Sequence, residues 1–235
     1  MTERLGVADL HMHTKASDGL PNAQQLLDYV ARKTDLDVIA ITDHDVLDAS
    51  LWAYEQRERY PFDIVPGVEV TTREGHMLAL WVTQPIPKRM SLAETTAAIH
   101  EQGGMAILAH PGEVLIAGRN VWRHLRNPQV LIDAEIDALE LYNAGVITPR
   151  SNRLAARICA KAGLPVVGNS DAHTLGGIGC GVTRFKGHSA TELRAAITTG
   201  QTGVEGASWA FIDYLRISPT SIRGTLSGFL ARSSR

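Results

Sequence analysis

Residues 8–19 read ADLHMHTKASDG. An apolar stretch leads into His11 and His13, two positions apart at the end of an expected strand, where β alternation aims both imidazoles at one face. Taken alone, this HxH pair reads equally as two exposed histidines, and Asp18 in its Ser-Asp-Gly setting as a turn former. Its meaning depends on what surrounds it. Apolar runs of strand length recur at about 7–13, 37–44, 63–72, 76–82, 105–110, 138–143 and 165–171. Amphipathic helical stretches lie between most of them, near 22–33, 48–59, 91–102 and 150–162. Repeated strand-helix units of this kind predict an α/β fold around a mainly parallel sheet, and seven or eight strand signals predict a single barrel-like domain.

Local signals agree with these elements. Asn22 is placed to cap the first helix, Ser91 with Glu94 forms a capping box for the third, and Gly163 with Pro165 stops the fourth. The strands at 63–72 and 76–82 are separated only by the short Arg73-Glu74-Gly75 turn. After residue 173 come a glycine-rich turn, a strand-like GCGVTRFKG, a helix near 190–199 and a tail from about 205. Neither a repeat nor a Pro/Ser/Gly-rich linker divides the chain, so residues 1–235 are expected to form one domain with the tail as a C-terminal extension. The stretch SIRGTLSGFL (221–230) reads as a final helix or a self-association segment, and the oligomeric state is not legible.

At 235 residues, 44% hydrophobic and 20% charged, the chain is long enough to bury a substantial core. Its net charge of −2 gives no overall basic field, so nucleic acid is not indicated as a partner and an anionic substrate must be met locally. The two cysteines, Cys159 and Cys180, have no CxxC spacing. With no signal-peptide pattern after Met1 and no run long enough to span a bilayer, the expectation is a cytoplasmic protein without a membrane partner.

In α/β folds the functional groups collect at the carboxyl ends of strands. Six of the nine histidines sit at or beside an expected strand: His11, His13, His44, His76, His110 and His173. Glu69, within the apolar run PGVEVTT, would be costly to bury without a cation. His44 ends the second strand between Asp43 and Asp45, and a hydrogen-bonded core histidine is its plain alternative. GNSDAHT supplies Asp171 and His173, a second pair spaced two apart. His76 stands at the start of its strand rather than the end. Each residue has an ordinary explanation, but together they point to a metal site built from imidazoles and carboxylates.

The order of these residues resembles the PHP (polymerase and histidinol phosphatase) family of metal-dependent phosphoesterases. DLHMHT and NSDAH carry the resemblance, which spans about residues 7–200. It implies a distorted (β/α)7 barrel of PHP type with nine metal ligands, all present here as His11, His13, Asp18, His44, Glu69, His76, His110, Asp171 and His173. By the same resemblance, His11, His13, Glu69 and Asp171 would hold one ion, and Glu69 would bridge to a second held by His76 and His110. Asp18, His44 and His173 would hold a third. Asp9 shares strand parity with His11 and is a candidate for orienting an imidazole.

Imidazole and carboxylate without thiolate suit two to three divalent transition ions, Zn, Mn or Fe. Against three such ions, Asp18, Glu69 and Asp171 leave a positive excess that a hydroxide and a phosphate dianion would balance. The expected chemistry is hydrolysis of a small phosphate ester by a metal-activated hydroxide, formed as the pKa of water falls from about 15.7 towards 7. No protein base is then needed. Candidates to grip the phosphorylated substrate are Lys15, Arg119 and Arg123, each otherwise a solvated surface cation, and Asn143. GxSxG and P-loop motifs are absent. The competing readings are an amidohydrolase-like metal-dependent hydrolase acting on C–N bonds and a non-catalytic metal-binding PHP module. The short segment between His110 and the sixth strand favours a compact site open to small phosphoesters.

Overall fold

A computed structural model describes residues 4–217 of the chain. SIRGTLSGFL therefore lies outside the described residues. Nine strands form one sheet: β1 (Gly6–Asp9), β2 (Val38–Ile41), β3 (Asp63–Thr71), β4 (His76–Leu80), β5 (Met105–Leu108), β6 (Ala138–Asn143), β7 (Val166–Asn169), β8 (Gly181–Phe185) and β9 (Gly203–Gly206). Their spatial order is β7-β6-β5-β4-β3-β2-β1-β8-β9. The helices are α1 (Ala23–Lys33), α2 (Asp48–Glu55), α3 (Leu92–Glu101), α4 (Val114–Ala117), α5 (Asn120–Arg126), α6 (Gln129–Asp133), α7 (Pro149–Ala162) and α8 (Ala190–Thr198). A further helical stretch covers 211–217.

The sheet curls until its ends meet. Met12 pairs in parallel with Ala172, and the His13 amide donates to Ala172 O at 2.8 Å, which ties the chain beyond β1 to the chain beyond β7. Thr183 Oγ donates to Gly168 O at 2.9 Å, joining β8 to β7 as well. The result is a nearly closed, distorted barrel. Its inside is visible in the packing: Ala8, Val38, Val65, Leu78, Ile107 and Val167 come from six strands yet belong to one buried cluster, which only the interior of a curled sheet can assemble. Leu193 and Ile197 of α8 complete that cluster. Alternate strand residues such as Ile39 and Val68 face outward onto the helices.

Parallel pairing is less dominant than the sequence suggests. β1–β2, β2–β3, β5–β6 and β6–β7 are parallel. β3–β4, β4–β5, β1–β8 and β8–β9 are antiparallel. The reason is connection length, because the Thr72–Gly75 turn is too short for a crossover helix. Thr72 N donates to Gly75 O at 2.9 Å, and Gly75 adopts φ +145°, which a side chain would resist. This reversal matters for the site. Thr71 faces His76 in the ladder, so the first residue of β4 lies at the same edge as the last residues of β3.

The caps form where the sequence places them. Asn22 with Gln25 and Ser91 with Glu94 make reciprocal capping boxes, and Ser189 with Glu192 adds a third. Pro149 opens α7 and Gly163 closes it at φ +66°. The short helices α4 to α6 and strand β9 are additions that sequence periodicity does not reveal, since segments of four to seven residues carry little periodic signal.

Candidate metal centre

The nine residues that the resemblance implies as ligands converge at the carboxyl edge of the barrel around Glu69. This glutamate is fully buried in β3, on the same face as the inner-cluster residue Val65. Its two oxygens face different histidines. Oε2 lies 3.1 Å from His11 Nε2, 3.2 Å from His13 Nε2 and 3.0 Å from His44 Nδ1. Oε1 lies 2.9 Å from His76 Nδ1 and 3.0 Å from His110 Nε2. His76 thus joins the cluster although it starts its strand, because β4 runs antiparallel to β3. Asp171 Oδ1 lies 3.4 Å from His11 Nε2 and 3.1 Å from His13 Nε2. Asp18 faces His173 Nε2 at 3.1 Å and His44 Nε2 at 3.8 Å.

The strand geometry behind the first pair differs from simple alternation. Regular β1 ends at Asp9, and the chain then bends to bridge both neighbours, with Thr42 N donating to Met12 O at 2.8 Å and Met12 pairing with Ala172. His11 and His13 nonetheless present both Nε2 atoms to Glu69. His110 and Asp171 sit at φ +27° and +51°, a left-handed region that non-glycine residues enter at a cost.

The donor set fits a divalent transition ion. Among the described residues, the buried side-chain nitrogen and oxygen atoms without a hydrogen-bond partner are His11 Nε2, His13 Nε2, Glu69 Oε2 and the two ring nitrogens of His124. Of the first three, the two histidine nitrogens lie 3.1 and 3.2 Å from Glu69 Oε2 yet do not hydrogen-bond to it. A spacing of roughly 3.4 Å is what two ligands about 2.1 Å from a tetrahedral ion would have. Four groups of side chains have ligand atoms close enough to share an ion: His13, Asp18, His44 and His173; His11, Glu69 and His110; His11, His13 and Asp171; and His44, Glu69 and His76.

Charge in the cluster follows from proximity in a dry setting. Burial lowers the pKa of His11, but Asp171, Glu69 and Glu140 outweigh it and leave it well above the ordinary imidazole value. The same contest leaves His13 at about 10. Burial pushes Glu69 and Asp171 up, yet the surrounding imidazoles hold both far below the usual carboxylate range. His44 falls to about 4, first through burial and then through His13 and His76.

Supporting residues surround the cluster, and sequence reasoning missed the most important one. Glu140 in β6 is fully buried and lies 3.1 Å from His11 Nδ1. It also accepts from Asn169 Nδ2 at 2.8 Å, His110 N at 2.7 Å and Asn143 Nδ2 at 2.9 Å. Its position inside an apolar strand was the available signal, the same one that singled out Glu69. Asp9, expected to orient an imidazole, instead accepts from the amides of Ser170 at 3.0 Å and Gly179 at 2.9 Å, and its burial raises its pKa to about 6. Asp43 braces the loop that presents Asp18, accepting from Thr14 N and Thr14 Oγ at 2.7 Å each and from Ser17 Oγ at 2.6 Å.

A cavity of about 670 Å³ opens over the cluster, with Asp18, His44, Glu69, His110, Asp171 and His173 on its floor. The expected substrate contacts fall differently. Asn143 is buried beneath the floor, where its Nδ2 donates to Asp171 Oδ2 at 3.0 Å. Lys15, Arg119 and Arg123 are exposed and do not line the cavity, and Arg123 lies 3.7 Å from Glu74 on another face.

Comparison with known proteins agrees with this architecture. The PHP-associated family model matches residues 149–202. A two-domain Bacteroides vulgatus protein containing a predicted PHP-like metal-dependent phosphoesterase superposes with a TM-score of 0.70 at 20% identity, covering 86% of this chain and 65% of that one. The chain belongs to the PHP family. A Methanocaldococcus jannaschii protein of uncharacterised function is 31% identical over 148 residues, 58% of this chain and 81% of its own length. The Salmonella typhimurium 5′-3′ exoribonuclease Rnm is 32% identical over 149 residues, and this PHP chain spans 45% of its length. Among the described residues, no helix is long and apolar enough to cross a membrane.

Proposed function

We propose that this PHP chain is a metal-dependent phosphoesterase that hydrolyses a small phosphate ester. The observation that carries the reading is Glu69, whose oxygens face two separate sets of imidazoles beneath an open cavity. A carboxylate so placed suits a bridge between two cations. The nine ligands would be His11, His13, Asp18, His44, Glu69, His76, His110, Asp171 and His173, holding two to three ions of Zn, Mn or Fe. Once bound, the ions supply Lewis acidity, lowering the pKa of water and stabilising charge on phosphoryl oxygens. The family assignment and the names of similar proteins support the same reaction class.

The protein's own part is to orient and to exclude. Glu140 accepts a hydrogen bond from His11 Nδ1, so that Nε2, which faces Glu69 and Asp171, would be the atom offered to an ion. Asn143 holds Asp171 in place, and Asp43 holds the loop bearing Asp18. Asp18, His44 and His173 stand at the cavity floor, where they would meet a phosphoryl group first. We read the chain as one catalytic domain with a C-terminal extension from about residue 205, of which Trp209, Phe211 and Tyr214 wall this cavity.

The test combines metal analysis with an assay on p-nitrophenyl phosphate. The metal-loaded chain is expected to release phosphate, and His11→Ala combined with His13→Ala to abolish the release. Turnover confined to amides or lactones would establish the amidohydrolase-like alternative. Full activity in the double variant would remove catalysis from this site.

A further inference from the structure

Resting on the phosphoesterase reading, we infer that the site selects phosphate monoesters whose alcohol portion is apolar and uncharged, aromatic or branched aliphatic. The cavity walls carry this inference. Leu115 and Ile116 of α4, Ile147 after β6, and Phe211 with Tyr214 from the helical stretch at 211–217 converge on one opening from three separate segments. Leu115, Ile147 and Phe211 are 79%, 69% and 76% exposed, a degree of apolar exposure that needs an occupant. Because the floor of the same opening is formed by the proposed metal ligands, the occupant is the body of the molecule whose phosphate would sit below.

The wall is fixed rather than incidental. Trp209 Nε1 donates to Ser170 O at 2.8 Å, next to Asp171, and its ring centroid is 5.8 Å from that of His173. Tyr214 Oη donates to Ala144 O at 3.2 Å and Val146 O at 3.3 Å. Gly145 admits this packing, since a Cβ there would come within 2.8 Å of the Trp209 ring. Residues 209–214 are thus fastened to the backbone that frames the ligands.

Charge excludes the obvious competitors. Among the described residues, no lysine or arginine lines the cavity. The charged group on its wall is Glu113, held by Ser151 Oγ at 2.9 Å and by Leu115 N at 3.2 Å. A second phosphate, as in a nucleoside bisphosphate or an RNA strand, would be desolvated against apolar side chains and a carboxylate, with no lysine or arginine among the described residues to compensate. The size lies within the range of small-molecule sites. The reaction balances as water plus monoester giving alcohol and inorganic phosphate: the water oxygen bonds to phosphorus, the ester P–O bond breaks, and a water proton ends on the released alcohol.

The experiment compares kcat/KM of the metal-loaded full chain on 2-phenylethyl phosphate, glycerol 1-phosphate, adenosine 3′,5′-bisphosphate and a short single-stranded RNA. The two alkyl monoesters have similarly poor leaving groups, so their ratio reports the wall rather than the chemistry. We expect at least about a 10-fold preference for 2-phenylethyl phosphate, mainly in KM, as pocket contacts of this kind give. Phe211→Ser and, separately, Ile147→Ser should each shrink that ratio, with metal content retained. Equal rates on the two monoesters, or faster cleavage of RNA or bisphosphate, would overturn the inference while leaving the phosphoesterase reading intact. Loss of self-association in Phe211→Ser with the ratio unchanged would assign the wall to a second copy of the chain and overturn it too. Release of phosphate from none of these substrates, nor from p-nitrophenyl phosphate, would end both.

Discussion

The Glu140 carboxylate lies 3.1 Å from His11 Nδ1, and neither side chain is accessible to solvent. Each oxygen of Glu140 serves two donors: Oε1 faces His11 and Asn169, while Oε2 takes the His110 amide and Asn143. One buried carboxylate therefore sets the orientation of two proposed ligands and, through Asn143, a third. The imidazolium charge of His11 holds its pKa below the ordinary glutamate value against the opposing effect of burial.

Glu140→Gln keeps the shape but supplies only one acceptor oxygen, and its amide group must then face two donors. Leaving such groups unpaired in a dry site costs about 1–3 kcal/mol. Loosening a ligand's support typically lowers metal affinity by about 10–100-fold. We expect the variant to fold, to unfold at lower urea than the parent, and to lose metal to a competing chelator at correspondingly lower concentration. Parental affinity in a folded variant would show that Glu140 contributes only packing.

This arrangement also marks the limit of what the sequence discloses. The convergence of the proposed ligands was legible because buried histidines and carboxylates at strand ends have few inexpensive explanations, and His11, His13, Glu69, Asp171 and the others do meet. The support was not legible. Glu140 sits in an apolar run as Glu69 does, but without a neighbouring histidine in sequence nothing linked it to a site 129 residues away. Asp9 was misread for a related reason: parity placed it beside His11, but the bend after β1 turned it towards the Ser170 and Gly179 amides. Periodicity identified the long elements, yet not the four-residue α4 that supplies one wall of the cavity, nor the anchoring of the tail through Trp209.

Removing metal should destabilise the protein. His11 Nε2, His13 Nε2 and Glu69 Oε2 converge without hydrogen-bonding one another, so a cation that joins them binds the folded chain in preference to the unfolded one. At a free metal concentration about 1,000 times Kd, this linkage contributes roughly 4 kcal/mol. Chelation should lower Tm by several degrees, and re-addition of Zn or Mn should restore it. A thermal transition unmoved by verified metal removal would contradict the assignment of these atoms as ligands.

His124 gives a separate prediction about pH. It is fully buried in α5, and neither ring nitrogen has a hydrogen-bond partner. Burial first, and the neighbouring Arg123 charge second, depress its pKa from 6.5 to about 4. The folded chain therefore keeps this imidazole neutral where the unfolded chain already takes up a proton. Above pH 6.5 both states are neutral and the group adds no pH dependence; as pH falls from 6.5 towards 4, the unfolded state is increasingly favoured. Below about 4 both are protonated and the loss levels off. Between pH 7 and 5 the loss from this group is about 2 kcal/mol by linkage. His124→Leu removes the titration and the two unpaired nitrogens together. Urea unfolding of metal-free parent and variant at pH 7 and pH 5 measures the difference, in which the other titrating groups cancel. The variant should lose less stability on acidification by about that amount, and identical losses in the two proteins would mean that His124 is protonated in the folded state.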